Sequence, residues 1–79
     1  MMKRSTLNRI IRLAEKRRKT AIGRLRRAQQ RQDEVLCDQI AWQIAGENEL
    51  IGNAQKDLKI LDWAEAKFEE LFGNDKVVA

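Results

Sequence analysis

Residues 7–31 read LNRIIRLAEKRRKTAIGRLRRAQQR, and this stretch sets what the rest of the chain has to do. Leu7, Ile10 or Ile11, Ala14, Ala21 with Ile22, Leu25 and Ala28 recur three or four residues apart. That spacing gathers apolar side chains on one side of an α-helix. Nearly everything between them is cationic, and Glu15 is the only acid before Asp33. A helix built this way needs a partner for its apolar stripe and counter-charge for the remainder.

Working outward, Ser5 or Thr6 is placed to cap the helix start, because a hydroxyl there can accept from an orphan amide one turn on. Gly23 is internal and costs about 1 kcal/mol against alanine without ending the helix. The run from Gln29 to Glu34 is polar but rich in helix formers, so it reads as a solvated part of the same helix; a break at Asp33, giving three helices, is the alternative. The stripe resumes at Val35, Leu36, Ile40, Trp42 and Ile44. Gly46 and Asn48 then carry the strongest turn signal, a left-handed terminator followed by a cap, with Gly52-Asn53 close behind. From Leu50 onward Ile51, Ala54, Leu58, Leu61, Ala64, Phe68, Leu71 and Phe72 recur at helical spacing until Gly73-Asn74.

The expectation is an all-α fold. It is an antiparallel helical hairpin of the coiled-coil kind, one domain over 1–79, with a helix at about 6–45, a turn at about 46–48, a helix at about 49–72 and a loose tail at 73–79. Facing residues would then have numbers adding to about 93, pairing Leu25 with Phe68, Val35 with Leu58, Trp42 with Ile51 and Ala21 with Phe72, and setting Arg31 near Asp62 and Arg24 near Glu69. Two glutamines spoil that seam, Gln32 opposite Leu61 and Gln39 opposite Ala54.

Composition narrows the function. Histidine and proline are absent and there is one cysteine, so neither a disulfide framework nor a zinc cluster forms within one chain. Cys37 reads as a small apolar filler near the seam and fits a reducing compartment. Apolar runs are two or three residues long, so no membrane insertion is expected, and no secretory signal core follows the basic start. No phosphate-cradling loop or nucleophile beside a base is present, so no catalytic residue, cofactor or metal is assigned and no enzyme is expected.

Charge is divided unevenly. Residues 1–32 carry twelve Lys and Arg against one acid, and residues 33–79 carry four Lys against eleven acids. Either the halves pair, or the basic half grips an anionic partner. With the turn near Gly46 the first helix outruns the second by about 20 Å. The uncovered segment would present Leu7, Arg9, Ile10, Ile11, Arg12, Leu13, Lys16, Arg17 and Arg18 to a protein partner. Two such overhangs could also pair into a four-helix dimer. An arginine-rich RNA-binding helix is the alternative, carried by Lys16-Arg17-Arg18-Lys19 and Arg24-Arg26-Arg27, although no aromatic is interleaved for base stacking. Trp42, Trp63, Phe68 and Phe72 read as core, with Trp63 off the main stripe and so either a groove edge or an exposed anchor.

The run Leu7-x-Arg9-Ile10-x-x-Leu13-x-x-x-Arg17-x-x-x-Ala21-Ile22 resembles the opening helix of the YscO-type stalk proteins of type III secretion. These are relatives in architecture of the flagellar export protein FliJ and of the rotary-ATPase gamma subunit's coiled coil. The likeness covers about sixteen residues of common helix-forming types, and members of that family are usually longer. It implies a cytoplasmic, non-enzymatic protein that contacts a hexameric secretion ATPase, with Leu7, Arg9, Ile10, Leu13 and Arg17 as contact residues.

Overall fold

The computed structural model describes residues 2–78, and side chains from Met2 to Gly73. Two helices make an extended antiparallel hairpin: α1 spans Arg4–Gln30 and α2 spans Glu34–Val78. The all-α hairpin expected from the sequence is what forms, but its turn lies elsewhere. The molecule measures 69 × 15 × 14 Å. At 1.5 Å per residue the long dimension is accounted for by the 45 residues of α2 alone.

The turn is Arg31-Gln32-Asp33, not Gly46-Glu47. Gln32 adopts φ 57°, the left-handed conformation that ends many helices. Its amide donates to the Gln29 carbonyl (3.0 Å), and the Asp33 amide donates to the Ala28 carbonyl (3.1 Å). Those two bonds are the Schellman closure, which satisfies carbonyls that the end of α1 would otherwise leave bare. Asp33 then starts α2. Its Oδ1 accepts from the Leu36 amide at 3.1 Å and its carbonyl accepts from the Cys37 amide at 2.9 Å. The alternative break at Asp33 is therefore where the chain turns, but it yields two helices rather than three, because Gly46 and Gly52 stay helical. No glycine has positive φ. Gly73 does not end α2 either; the helix continues to Val78, and of the expected loose tail Ala79 lies outside the described residues. At the other end α1 begins at Arg4 with Lys3 as its cap residue, so Ser5 and Thr6 lie inside the first turn.

A strict alternation of three- and four-residue steps explains what is buried. On α1 the positions are Arg4, Leu7, Ile11, Ala14, Arg18, Ala21, Leu25 and Ala28, every one buried or half-buried. On α2 they are Cys37, Ile40, Ile44, Glu47, Ile51, Ala54, Leu58 and Leu61, again all buried or half-buried. This is the heptad pattern of a coiled coil. Side-chain bonds fix the register. Arg4 reaches Asp62, Arg17 reaches Glu47 and Arg18 reaches Asn48, so facing residues have numbers adding to about 65. The 93-register pairs do not exist. Alanine at three seam positions of α1 leaves room for Ile40, Ile44 and Ile51 from the other side. Ala21, Ala28 and Ile40 form the core near the turn, with Leu25, Leu36, Cys37 and Ile44 packed on it; Leu7, Ala14, Ile51 and Ala54 are buried farther along.

Moving the turn reverses the overhang. α2, not α1, is the longer arm, and the front of α1 is tied to it by the ion pairs of Arg4 with Asp62 and Glu65. Trp42, expected in the core opposite Ile51, is 79% exposed, because in the true register it lies on the outer side of α2. Val35 faces outward too. Phe68 and Phe72, also expected in the core, are exposed because α1 has already ended.

Candidate interaction surfaces

The nine residues assigned to partner binding are separated by the fold. Leu7 is fully buried against α2, and Ile10 and Ile11 are half-buried, so much of the apolar part of that surface is taken up within the chain. Arg17 donates through Nε to Glu47 Oε1 at 2.9 Å, and Arg18 donates through Nη1 to Asn48 Oδ1 at 2.8 Å. Leu13, Arg9, Arg12 and Lys16 remain exposed on the outside of α1. The premise of an uncovered N-terminal helix is corrected: its front is held down by Arg4, whose guanidinium bridges Asp62 Oδ1 (2.7 Å) and Glu65 Oε1 (2.8 Å). The hydrogen bonds to Glu65 and then Asp62 raise the Arg4 pKa above its ordinary value.

Three surface and seam arrangements stand out. The first is a polar layer in the middle of the seam. Glu47 sits at a heptad position with its side chain 13% exposed; Oε1 takes Arg17, and Oε2 is buried without a hydrogen-bond partner. An ion placed there stabilises little compared with an apolar side chain, but it penalises every register that would leave it unpaired.

The second is the outer side of α1, where Arg12, Lys16, Lys19 and Arg26 line an open groove together with Glu15, Arg18, Ile22 and Gly23. None of these four cations forms an ion pair among the described residues. Helical spacing puts them on one side, and the acids of α2 lie against the other.

The third is the free end of α2. Continuing the same three-four count past Leu61 gives Glu65, Phe68 and Phe72. Phe68 is 59% and Leu71 70% exposed, and Phe72 is likewise exposed. The two phenylalanine rings lie against each other, centroids 4.8 Å apart and tilted 40°. Ala64 and Leu71 widen this strip, Glu65 lies at its near end against Arg4, and Asp62 and Glu70 stand off it. Trp63 lies outside it, exposed on the back of the helix. The signal for this surface was in the sequence. The three-four repeat keeps its phase from Cys37 to Phe72, apolar everywhere but at Glu47 and Glu65, but the first helix supplies only eight seam positions to face it.

Among the described residues there is no cluster of side chains able to hold a metal ion, and no helix is long and apolar enough to cross a membrane. Comparison with models of known families, with curated proteins and with solved structures gave no match.

Proposed function

We propose that the protein is a non-enzymatic helical interaction module, a rod that carries an unfinished coiled-coil seam at its far end. The observation that supports this is the exposure of Phe68 and Phe72 at heptad positions whose equivalents nearer the turn, Ile40 and Ile51, are buried. A stable monomer gains nothing from aromatics on a seam it does not close, and exposed aromatics are the side chains that anchor protein contacts. The sharpest form of the reading is a stalk of the YscO and FliJ type in the cytoplasm, docked on a hexameric secretion ATPase. It keeps Arg9 and Leu13 from the resemblance as outward-facing contacts and adds the end of α2. The test is co-elution of the hairpin with a purified secretion ATPase. The double substitution Phe68→Asp with Phe72→Asp is expected to abolish it while helicity stays at the native level. Co-elution that survives the substitution contradicts the reading.

A second reading has its own support in the unpaired cations Arg12, Lys16, Lys19 and Arg26, whose spacing suits a phosphate backbone. Under it the protein is a small RNA-binding regulator. RNA affinity would fall steeply with salt, and Lys16→Gln with Lys19→Gln would flatten that slope by about two. Arg17 and Arg18 are the poorer choice for this test, since both are engaged with α2. Absence of RNA binding at low salt ends this reading.

A further inference from the structure

Taking the hairpin as an interaction module, we infer the chemistry of what completes it: a cationic amphipathic helix of a partner protein. It lies antiparallel to α2 in the lane that α1 vacates beyond Arg4. Three observations converge on this occupant. The free seam is continuous with a closed one. Leu58 and Leu61 are half-buried against the front of α1, and after Glu65 the same side carries Phe68 and Phe72, about two and three turns beyond Leu61. A helix in that lane therefore meets the same knob-and-hole geometry that α1 meets. Charge selects the sign of the partner. Residues 62–73 carry Asp62, Glu65, Glu69 and Glu70 against Lys67; Arg4 bridges the first two and Lys67 holds Glu70, and with both cations counted this end still sums negative, so it disfavours a second copy of itself and favours a basic helix. The hairpin also shows how such a helix is held, since Arg4 bridges Asp62 and Glu65 at the edge of the free segment. Finally, the Phe68 and Phe72 rings already pack on each other, so part of the ordering that an anchor loses on binding is met in advance.

The occupant is thus a helix resembling α1 itself, small or branched apolar residues every three or four positions with arginine or lysine beside them. The probe is a labelled 21-residue synthetic helix of that composition, with a counterpart in which glutamine replaces every arginine and another in which glutamate does. Binding to the full chain is read by fluorescence anisotropy at low and moderate salt, alongside sedimentation of the hairpin alone. The cationic peptide is expected to bind saturably one to one, at least tenfold tighter than the glutamine peptide. The glutamate peptide is expected not to bind. Phe68→Asp or Phe72→Asp is expected to weaken the cationic peptide by tenfold or more with helicity unchanged, whereas Val35→Asp, on an exposed position near the turn, leaves it unaltered. Equal binding of cationic and glutamine peptides overturns the assignment of charge while leaving the interaction-module reading standing. Peptide binding indifferent to both phenylalanine substitutions, or no binding of any peptide, removes the end of α2 as a docking surface and takes that reading with it. A mass that doubles with concentration and reverts in Phe68→Asp makes the occupant a second copy and overturns the partner helix.

Discussion

Two segments of α2 carry the same heptad pattern and meet opposite fates. Between Cys37 and Leu61 each seam position lies against α1, and Ile40 is 2% exposed. Beyond Glu65 the positions continue as Phe68 and Phe72, and they face solvent. The difference is not in the residues, since phenylalanine has more apolar surface to bury than isoleucine. It lies in the neighbour: α1 has 27 residues and α2 has 45. Local pattern decides which side of a helix is apolar, and the length of the facing helix decides whether that side is covered.

The covered and uncovered seams should respond differently to truncation. Ile40→Ala is expected to cost about 2–4 kcal/mol in urea unfolding, the transfer loss plus a cavity. Phe68→Ala on the projecting segment is expected to change stability by less than about 0.5 kcal/mol. Similar losses at the two sites would mean that the far seam is covered in the isolated chain.

Glu47 sharpens the picture within the closed part. Glu47→Leu replaces a poorly satisfied buried carboxylate by an apolar side chain, and thermal melting should rise, by about 1–3 kcal/mol in free energy. Arg17→Met leaves the carboxylate behind and should destabilise, by about 1–2 kcal/mol because Arg17 is itself half-exposed. A loss of stability in Glu47→Leu would show that the ion contributes net stability rather than register.

Smaller effects separate the two possible turns. Gly46 is helical, with open space around an added methyl group, so Gly46→Ala should stabilise by about 0.5–1 kcal/mol. At a left-handed helix terminus the same change would destabilise. Gln32 is the residue with positive φ, and Gln32→Gly should stabilise by up to about 1 kcal/mol. Arg4→Ala should lower the melting temperature only slightly, and the loss should shrink with salt, since both of its acidic partners are exposed.

The helical hairpin, the α1 stripe from Leu7 to Ala28 and the charge division between the arms were legible in the sequence. The turn was legible only indirectly. Glycine punctuation pointed to Gly46, but an exposed helix tolerates glycine at a modest cost, whereas this turn uses glutamine in a left-handed conformation and an aspartate cap. The stronger signal was one of phase. Extending the α1 count unbroken puts Gln32, Val35, Gln39, Trp42, Gly46 and Glu49 on the seam, four of the six polar or glycine. Slipping it by two residues between Ala28 and Cys37 puts Ile40, Ile44, Ile51 and Ala54 there. The two glutamines that spoiled the 93 register were that slip showing through. From the misplaced turn followed the misplaced surface: the opening residues Leu7, Ile10 and Ile11 were given to a partner, when they belong to α2. What sequence could not supply was Glu47, whose burial depends on the register, and the pairing of Phe68 with Phe72 on an uncovered side.

The position of the turn governs everything else, and a pair of spin-label distances tests it directly. With Cys37 replaced by alanine, labels at Arg9→Cys and Lys56→Cys occupy exposed positions that face each other across the hairpin, and labels at Arg24→Cys and Glu69→Cys do not. The expected result is a separation below about 20 Å for the first pair and about 40 Å for the second, from helix packing distance and rise per residue. A short distance between positions 24 and 69 with a long one between 9 and 56 would place the turn near Gly46, return the overhang to α1 and contradict the free end of α2.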